Sequence, residues 1–258
     1  MKIAICQMDI VFGRKESNFE KVANFAKKAK ENGVDLLVLP ETFAVLFSMG
    51  VDEISEWKKD SITLSFLKKT AKENGIWILG TFVEKTEDGN KNAAYLVNRN
   101  GKIKKTYHKI HLFPLTEEDK KCTPGSRPSL TEIEGIKFGI TICYDLRFPE
   151  LYRLLTKKGA AAIFVVSNWP EKRREHWLAL LKARAIENQC YIIGANRIGN
   201  DGKENYSGDS CIYGPFGEEV LSPKNIEGIF ISDIALEKVQ EIRKTHRFLP
   251  SDWNTCIS

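Results

Sequence analysis

The chain has 258 residues, of which 42% are hydrophobic and 28% charged, a composition typical of a globular protein with a sizeable core. Its formal net charge of +5 comes from scattered lysines without a basic stripe of interleaved aromatic residues, which argues against nucleic-acid binding. The longest apolar run, 160–166, is far shorter than the roughly 20 residues of a membrane-spanning helix, so we expect no membrane insertion.

The six cysteines have no short paired spacing, and the N-terminal residues lack the apolar core and cleavage site of a secretory signal. We therefore expect a protein of the reducing cytoplasm. His108 and His111 form the one close pair of metal ligands, and no Cys-x-x-Cys accompanies them, so no metal site is predicted. In an extended chain these two histidines point to opposite faces, which favours structural roles.

Strands and helices alternate along the chain. Apolar runs bounded by turn residues predict strands, in chain order, at 2–8, 36–39, 76–82, 93–98, 102–107, 136–142, 161–166, 190–195, 209–213, 218–221 and 228–234. Apolar residues at helical spacing predict helices that begin at Ser17 or Asn18, Ser61, Pro149, Glu175 and Ala235. The unequal spacing of these units indicates a layered α/β protein rather than a solenoid. We predict one domain that spans residues 1–258.

Polar side chains gather where the predicted strands end. Glu41 follows the second strand, and Asn168 and Trp169 follow the strand at 161–166. Open α/β sheets bind ligands at the carboxyl ends of their strands, so these side chains are candidates for a binding site. The segment 108–125 is predicted to be a long irregular loop, and loops of that length in a compact domain are often functional.

Cys143 stands where the apolar strand 136–142 ends, shortly before a helix that Pro149 opens. A strand-to-helix corner exposes its side chain, and the free N–H groups at the start of the next helix can receive a developing oxyanion. They would also lower the pKa of a thiol. A lone cysteine at the end of an apolar strand is, however, more often a small core residue, so other residues must decide between the two interpretations.

Four side chains supply the groups that acyl transfer through a thiol needs. They are a base, a cation, a second carboxylate and the thiol itself, in Glu41, Lys109, Glu118 and Cys143. Attack on an acyl carbon needs an acceptor for the thiol proton, a positive donor for the oxyanion and later an activated water. Taken singly, each of these residues is more often a solvated charge or a buried thiol.

Three segments resemble the motifs of the nitrilase superfamily of carbon-nitrogen hydrolases and occur in the order of that family. They are 39–42 (LPET), 108–113 (HKIHLF) and 143–150 (CYDLRFPE). The resemblance implies that Glu41 is the general base, that Lys109 stabilises the tetrahedral intermediate and that Cys143 forms a thioester.

The same resemblance implies two further parts of the site and the assembly. The backbone N–H of Tyr144 would be an oxyanion donor, and Glu118 would be the second glutamate, with Glu117 as the adjacent alternative. The implied fold is α/β, a four-layer αββα sandwich with two central mixed sheets flanked by helices. It implies a homodimer or a higher homo-oligomer, in which residues 245–258 form a tail that packs on the partner.

Finer features resemble the omega-amidase branch of that superfamily, which needs no cofactor and hydrolyses small 2-oxo dicarboxylic acid monoamides such as 2-oxoglutaramate. These features are 143–150, 167–170 (SNWP), 183–189 (ARAIENQ) and 208–210 (GDS). An anionic substrate needs a cation, and Arg147, Arg173 and Arg174 are the nearest candidates. Asn168 and Trp169 are expected to line the pocket.

Two alternatives stay open. Another branch of the superfamily would act on N-carbamoyl amino acids or on a modified peptide amide, and release of carbon dioxide alongside ammonia would mark a carbamoylase. A non-enzymatic interaction protein is disfavoured because Glu41, Lys109 and Cys143 are all present. The sequence thus predicts a cysteine-dependent hydrolase whose partners are a small amide and water.

Overall fold

The computed structural model describes residues 1–46 and 50–249. Its strands are β1 (Lys2–Gln7), β2 (Leu36–Val38), β3 (Glu56–Trp57), β4 (Trp77–Thr86), β5 (Gly89–Val97), β6 (Ile103–His108), β7 (Ser129–Ile133), β8 (Ile136–Ile142), β9 (Ala162–Ser167), β10 (Tyr191–Asn196), β11 (Ile198–Asn200), β12 (Asn205–Ser207), β13 (Cys211–Tyr213), β14 (Glu219–Leu221) and β15 (Gly228–Asp233). Its α-helices are α1 (Lys15–Glu31), α2 (Val51–Ile54), α3 (Ile62–Asn74), α4 (Glu118–Lys121), α5 (Pro149–Lys157), α6 (Arg174–Asn188) and α7 (Val239–His246). Short 3₁₀ helices lie at Pro114–Thr116, Cys143–Arg147, Glu171–Arg173 and Leu236–Lys238.

Most of the strands form two mixed sheets. The first has the order β15-β1-β2-β4-β5-β6, with β3 beside β4, and the second has the order β14-β13-β10-β9-β8-β7. Strands β1, β2 and β4 are parallel, as are β8, β9 and β10. Strand β3 is parallel to β4, and the other strands that flank these two groups are joined to them in antiparallel pairs. Ile5 pairs with Val38, and Val38 pairs with Leu79, so β1, β2 and β4 end at one edge of the first sheet.

The two sheets pack face to face, and helices cover their outer faces. In β1, Ile3 and Ile5 belong to the core between the sheets, whereas Ala4 and Cys6 belong to the core under α1 and α3. This alternation follows from the two-residue period of a strand, and it requires apolar residues on both faces. The predicted four-layer αββα sandwich is confirmed.

Two glycines allow α5 and α6 to pack closely on the second sheet. A Cβ atom at Gly139 of β8 would lie 2.8 Å from the side chain of Leu155 on α5. A Cβ atom at Gly194 of β10 would likewise lie 2.8 Å from Leu181 on α6. Both distances are far inside van der Waals contact, so any larger residue would push a helix away from the strand ends that carry the site.

The first helix begins earlier than its sequence predicts. It starts at Lys15, before the expected caps Ser17 and Asn18. The Asn18 side chain is buried instead, where it donates to the carbonyl oxygens of Val11 and Ala44, both at 3.0 Å. It therefore holds the chain just after Glu41 rather than capping a helix.

Other predicted boundaries agree more closely. Ser61 caps α3 by accepting a hydrogen bond from Leu64 N at 2.9 Å, and Pro149 occupies the first turn of α5. The predicted irregular loop 108–125 is wrong in part, because it contains a 3₁₀ turn and α4. The hairpin of β11 and β12 is absent from the predicted elements, because its short strands carry no apolar period.

Two predicted features lie wholly or partly outside the described residues. The family resemblance places a pocket loop at 47–50, of which only Gly50 is described, and the tail 245–258 is described only as far as residue 249. Helix α7 begins at Val239, after a 3₁₀ turn, rather than at the predicted Ala235, and it ends at His246. In the described ranges, no helix combines the length and apolarity needed to cross a membrane.

Buried thiols make the fold sensitive to alkali. Burial raises the pKa of Cys122 and Cys190 to about 12, and it raises the pKa of Cys6 and Cys211 as well. Above pH 9 the unfolded chain loses thiol protons that the folded chain keeps. We therefore expect the free energy of unfolding to fall as pH rises from 9 towards 12, by up to about 1.4 kcal/mol per pH unit for each thiol.

Urea unfolding at pH 7, 9, 10 and 11 under reducing conditions measures this slope. Cys190→Ala is the matched variant, because it removes one buried thiol far from the candidate site. In this variant the free energy of unfolding should depend less steeply on pH, by the amount that corresponds to about one proton. A stability that is constant between pH 9 and 11 in the unmodified chain would contradict the expectation.

Candidate active site

The strand ends of both sheets meet at one cavity of about 490 Å³. Glu41 follows β2, Cys143 follows β8 and Asn168 follows β9. Lys109 follows β6, which runs in the same direction as β4 because β5 lies antiparallel between them. All four side chains line the cavity, and Glu118 of α4 joins them. The fold therefore brings together the four residues on which the sequence analysis depends.

Cys143 lies at the predicted corner, in an unusual backbone conformation. Its φ is +47°, in the left-handed region that few residues with a side chain adopt. The buried carboxylate of Asp145 supports this turn, since it accepts from Ile142 N at 2.9 Å and from the Tyr107 hydroxyl at 2.7 Å. It also accepts from His111 N at 3.0 Å and contacts the His111 ring nitrogen at 2.8 Å. The corner is thus fixed from the first sheet as well as from the second.

A second brace comes from α6. Arg184 is buried, and its Nε and Nη2 donate to the carbonyl oxygen of Leu146 at 3.2 and 2.9 Å. Its Nη1 donates to Glu187 at 3.1 Å. The segment 183–189, one of the features that resemble the omega-amidase branch, therefore contacts the cysteine turn from below and does not line the cavity.

Lys109 is buried between two carboxylates. Its Nζ lies 2.8 Å from Glu118 Oε2 and 3.1 Å from Glu41 Oε1. Glu118 Oε2 also accepts from Phe113 N at 2.8 Å. Burial alone would lower the pKa of Lys109, but the charges of Glu118 and Glu41 hold that pKa well above its usual value. Lys109 is therefore a fixed positive charge at the cavity wall.

The general-base candidate is held through both carboxylate oxygens. Glu41 Oε1 accepts from Lys109 and from the amide of Asn92, and Oε2 accepts from Asn168 N at 2.9 Å. The side chain of Asn168 donates in turn to Thr42 Oγ1 at 2.9 Å. Asn168 thus lines the cavity as predicted and also connects the strand end of the second sheet to Glu41.

The thiol is protonated in this environment. Burial raises the pKa of Cys143 to about 12, with the negative charge of Glu41 acting in the same direction and Lys109 against it. The sequence predicted that the start of a helix would lower this pKa, and that prediction is wrong. A 3₁₀ turn of five residues supplies little dipole, and burial dominates. Attack by this thiol therefore needs a base to take its proton.

The adjacent glutamates have different surroundings. Glu118 is buried against Lys109, whereas Glu117 is exposed and pairs with Lys120 and Lys121 at 3.1 and 3.4 Å. Both line the cavity, but Glu118 is the one that reaches the lysine. Tyr144, whose backbone N–H is the predicted oxyanion donor, also lines it.

Two of the arginines named from the sequence reach the cavity. The guanidinium of Arg147 lies 4.9 Å from the ring centre of Trp169, and that of Arg173 lies 5.3 Å from the ring centre of Phe113. Within the ranges 1–46 and 50–249, no carboxylate pairs with either one. Arg174 is different, because it donates to both oxygens of Asp209 at 2.8 and 2.9 Å and does not line the cavity.

Sequence reasoning missed three residues at or behind the cavity wall. Asn92 contacts Glu41 and Glu118; it follows Lys91 and lies just before the predicted strand 93–98, so nothing local indicated its burial. Arg197 is buried with its guanidinium 4.4 Å from the ring centre of Tyr206, on the unpredicted hairpin. Asn92 and Glu41 are 51 residues apart, and no local pattern pairs side chains so distant in sequence.

No group of at least three histidine, cysteine, aspartate or glutamate side chains in the described part of the chain could hold a metal ion. His108 Nε2 lies 2.7 Å from Glu84, outside the cavity, and His111 contacts Asp145. These contacts agree with the structural roles expected for both histidines.

The model of the carbon-nitrogen hydrolase family matches residues 2–244. The chain is 36% identical to the 2-oxoglutaramate amidase of Bacillus subtilis (strain 168) over 245 residues, which cover 94% of each protein. It is 35% identical to the deaminated glutathione amidase of Dictyostelium discoideum over 252 residues, 89% of this chain and 86% of that protein. Among solved structures, the CN-hydrolase superfamily protein XC1258 of Xanthomonas campestris, which carries an arsenic adduct in its active site, superposes with a TM-score of 0.90 at 27% identity. The match covers 98% of this chain and 97% of that one.

Proposed function

Because the chain belongs to the carbon-nitrogen hydrolase family, we propose that it is an omega-amidase-type enzyme that releases ammonia from a small carboxylated amide such as 2-oxoglutaramate. The observation that carries this proposal is the meeting of Glu41, Lys109, Glu118 and Cys143 at one cavity, with two arginines in its wall that no carboxylate of the described residues pairs with. Hydrolysis of a linear amide is the chemistry for which these groups are sufficient.

The first step transfers the thiol proton to Glu41 while the sulfur attacks the amide carbonyl. Glu41 Oε1 already accepts from Asn92 and Lys109. Among the described residues Oε2 accepts from Asn168 N alone, which leaves one lone pair for the proton. Two N–H groups of Lys109 are used by carboxylates, which leaves the third for the developing oxyanion. The backbone N–H of Tyr144 is the second oxyanion donor in this proposal.

The remaining steps return every proton. The C–N bond breaks as Glu41 gives its proton to the leaving amine, so ammonia departs and the acyl group stays on Cys143 as a thioester. Water then attacks the thioester and gives a proton to Glu41. The sulfur leaves, regains that proton, and the carboxylic acid is released. Glu118 positions Lys109 through the contact at 2.8 Å.

Arg147 and Arg173 are the residues proposed to bind the carboxylate of the substrate. Each lies near an aromatic ring, and neither has an acidic partner in the described residues; Arg147 Nη2 contacts His176 Nδ1 at 3.2 Å. The N–H groups of a guanidinium can donate to both oxygens of a carboxylate. The two arginines are therefore suited to an amide substrate that carries an acidic group. Asn168 and Trp169 line the same cavity as these arginines and Cys143.

An ammonia assay over a panel of ω-amides tests the function. We expect 2-oxoglutaramate to be hydrolysed with a kcat/KM at least about 10-fold above that of butyramide, because the neutral amide lacks the carboxylate contact. Rapid quenching should trap an acyl group on Cys143. A folded protein that releases no ammonia from any member of the panel would overturn the proposal.

Substitution of the arginines separates substrate binding from chemistry. Arg147→Gln and Arg173→Gln should each raise KM for 2-oxoglutaramate by roughly 10- to 100-fold, which is the effect of one lost charged hydrogen bond. The rate with butyramide should not change. Arg174→Gln is the matched control, because Arg174 pairs with Asp209 away from the cavity. Equal effects on both substrates would argue against a carboxylate contact.

A modified peptide amide is the second candidate substrate. The cavity of about 490 Å³ is large for a five-carbon acid, and two arginines could bind two separate carboxylates. The similarity to the deaminated glutathione amidase supports this reading. Including a dicarboxylated peptide amide and an N-carbamoyl amino acid in the panel decides among the branches, since only the carbamoyl compound yields carbon dioxide with ammonia.

We further propose a cytoplasmic enzyme, built as one domain, that forms a homodimer or a larger homo-oligomer. Ile186, Phe216 and Phe248 are exposed apolar side chains that lie close together, because Ile186 lies beside Gly217 and both phenylalanines contact His246. Apolar groups exposed together favour burial against a partner. Sedimentation of the purified chain tests this, and Ile186→Lys should shift the protein towards the monomer.

A further inference from the structure

One asparagine touches three of the four residues of the proposed mechanism. Asn92 of β5 is buried, and its Nδ2 donates to Glu41 Oε1 at 2.7 Å and to Glu118 Oε1 at 2.9 Å. Its backbone carbonyl accepts from Lys109 N at 2.9 Å. Strand β5 therefore places the Asn92 amide between the carboxylates of Glu41 and Glu118. It also holds the main chain of Lys109 beside them.

The orientation of this amide follows from its partners. An atom that lies within hydrogen-bond distance of two carboxylate oxygens must be the nitrogen, because an oxygen there would face two other acceptors. The Asn92 Oδ1 atom is buried and has no hydrogen-bond partner in the described residues. An amide that only completed the packing would bond through both ends. This one is placed for its N–H groups.

These donors determine where a proton can go. Glu118 Oε1 accepts from Asn92, and Glu118 Oε2 accepts from Lys109 and Phe113 N, so both oxygens face donors. Glu41 Oε1 is filled by Asn92 and Lys109. Glu118 Oε1 and Glu41 Oε2 each have one donor among the described residues, and the charge of Glu41 acts on Cys143 more strongly than that of Glu118. Oε2 of Glu41 is therefore the acceptor for the proton of Cys143.

We propose that Asn92 is a positioning residue that orients both glutamates as acceptors and directs the thiol proton to Oε2 of Glu41. The inference rests on the proposed function and adds a residue to its mechanism. The charged and titratable groups that face the amide are Glu41, Glu118 and Lys109, with Cys143 next to them.

Asn92→Asp and Asn92→Ala test the proposal with opposite changes. The aspartate keeps the shape but replaces the donors by an acceptor, whereas alanine removes the group. We expect kcat to fall by about 100-fold or more in Asn92→Asp and by about 10-fold in Asn92→Ala, with KM changed less than about threefold. A residue needed only for packing would give the opposite order, because the isosteric change would be the milder one.

The pH profile supplies a readout that packing does not move. In Asn92→Asp the new carboxyl group faces two carboxylates, donates only when protonated and has its pKa raised by them, so activity should recover as pH falls. In Asn92→Ala the acid limb of kcat/KM should move to higher pH, because the carboxylates lose an N–H donor that favours their charged form. Unchanged profiles in both variants would overturn the proposal.

Alkylation of Cys143 by iodoacetamide, followed by peptide mass, separates this inference from the identity of the substrate. A third carboxylate disfavours the thiolate, so labelling in Asn92→Asp should be at least about 10-fold slower than in the unmodified protein. Equal labelling overturns the proposal even if no panel amide is hydrolysed. Asn90→Asp is the matched control, since Asn90 lies on the same face of β5, donates to Asp52 at 3.0 Å and should label normally. Should Asn92→Asp fail to fold, Asn92→Ala carries the test.

Discussion

Cys143→Ala is expected to lower turnover by about 10⁴-fold or more while the chain stays folded. In the proposed mechanism the acyl group bonds to the sulfur of Cys143. Among the described residues that line the cavity, Cys143 is the one cysteine. The side chain is small and lies at a cavity wall, so its truncation leaves little new void. Ammonia release and thermal unfolding, measured on the same preparation, check both halves of the expectation.

Cys122→Ala is the matched control for that variant. Cys122 is also a buried thiol whose pKa is raised to about 12, and it lies close enough to feel the charges of Glu118 and Lys109. It has no part in the proposed mechanism, so its loss should change turnover less than about twofold. Intact mass after rapid quenching should show the acyl adduct in the unmodified chain and in Cys122→Ala only. Normal ammonia release by Cys143→Ala would mean that another group is the nucleophile.

The sequence predicted the corner at Cys143 but not what holds it. A β-branched run that ends in a cysteine, followed by Pro149 in the first turn of a helix, is a local pattern and was read correctly. The left-handed backbone at Cys143 depends on Asp145, whose partners Tyr107 and His111 are 38 and 34 residues away. Contacts of that range follow from the fold and leave no local signal.

The local sequence also could not decide which of the adjacent residues Glu117 and Glu118 is the second glutamate of the site. Helix α4 has only four residues, too few for a periodicity that could tell an inward side chain from an outward one. The backbone decides the matter, because Glu117 has a left-handed φ of 57° before α4 and turns away from the lysine. Only the folded loop brings Glu118 to Lys109.

The layered fold was easier to predict than the cavity wall. Continuous apolar runs in β2 and β9 indicate burial on both faces, and the layer order itself was implied by the resemblance to the nitrilase superfamily. The hairpin of β11 and β12 lacks such runs, and so Arg197 and Tyr206 were not placed at the wall. Asn92 was passed over because its partners belong to other elements.

Lys109 is the residue whose loss should disturb both the fold and the chemistry. It is the single cation that the described residues place between Glu41 and Glu118, and all three side chains are buried. Removing one partner of a buried charge network leaves the others uncompensated, which costs far more than the network contributes. The same substitution removes the proposed ammonium donor for the oxyanion.

Lys109→Met, which keeps the length of the side chain, should lower the free energy of unfolding by about 3–5 kcal/mol and turnover by about 10²–10³-fold or more. The stability defect should shrink at acid pH, because protonation of a carboxylate removes the uncompensated charge. The double variant Lys109→Met/Glu118→Gln should regain more than half of the lost stability, since one buried charge is gone, yet turnover should stay low. The single variant Glu118→Gln completes the double-mutant cycle. Urea unfolding and ammonia release measure the two effects separately, and recovery of turnover together with stability would mean that Lys109 acts only by holding the glutamates in place.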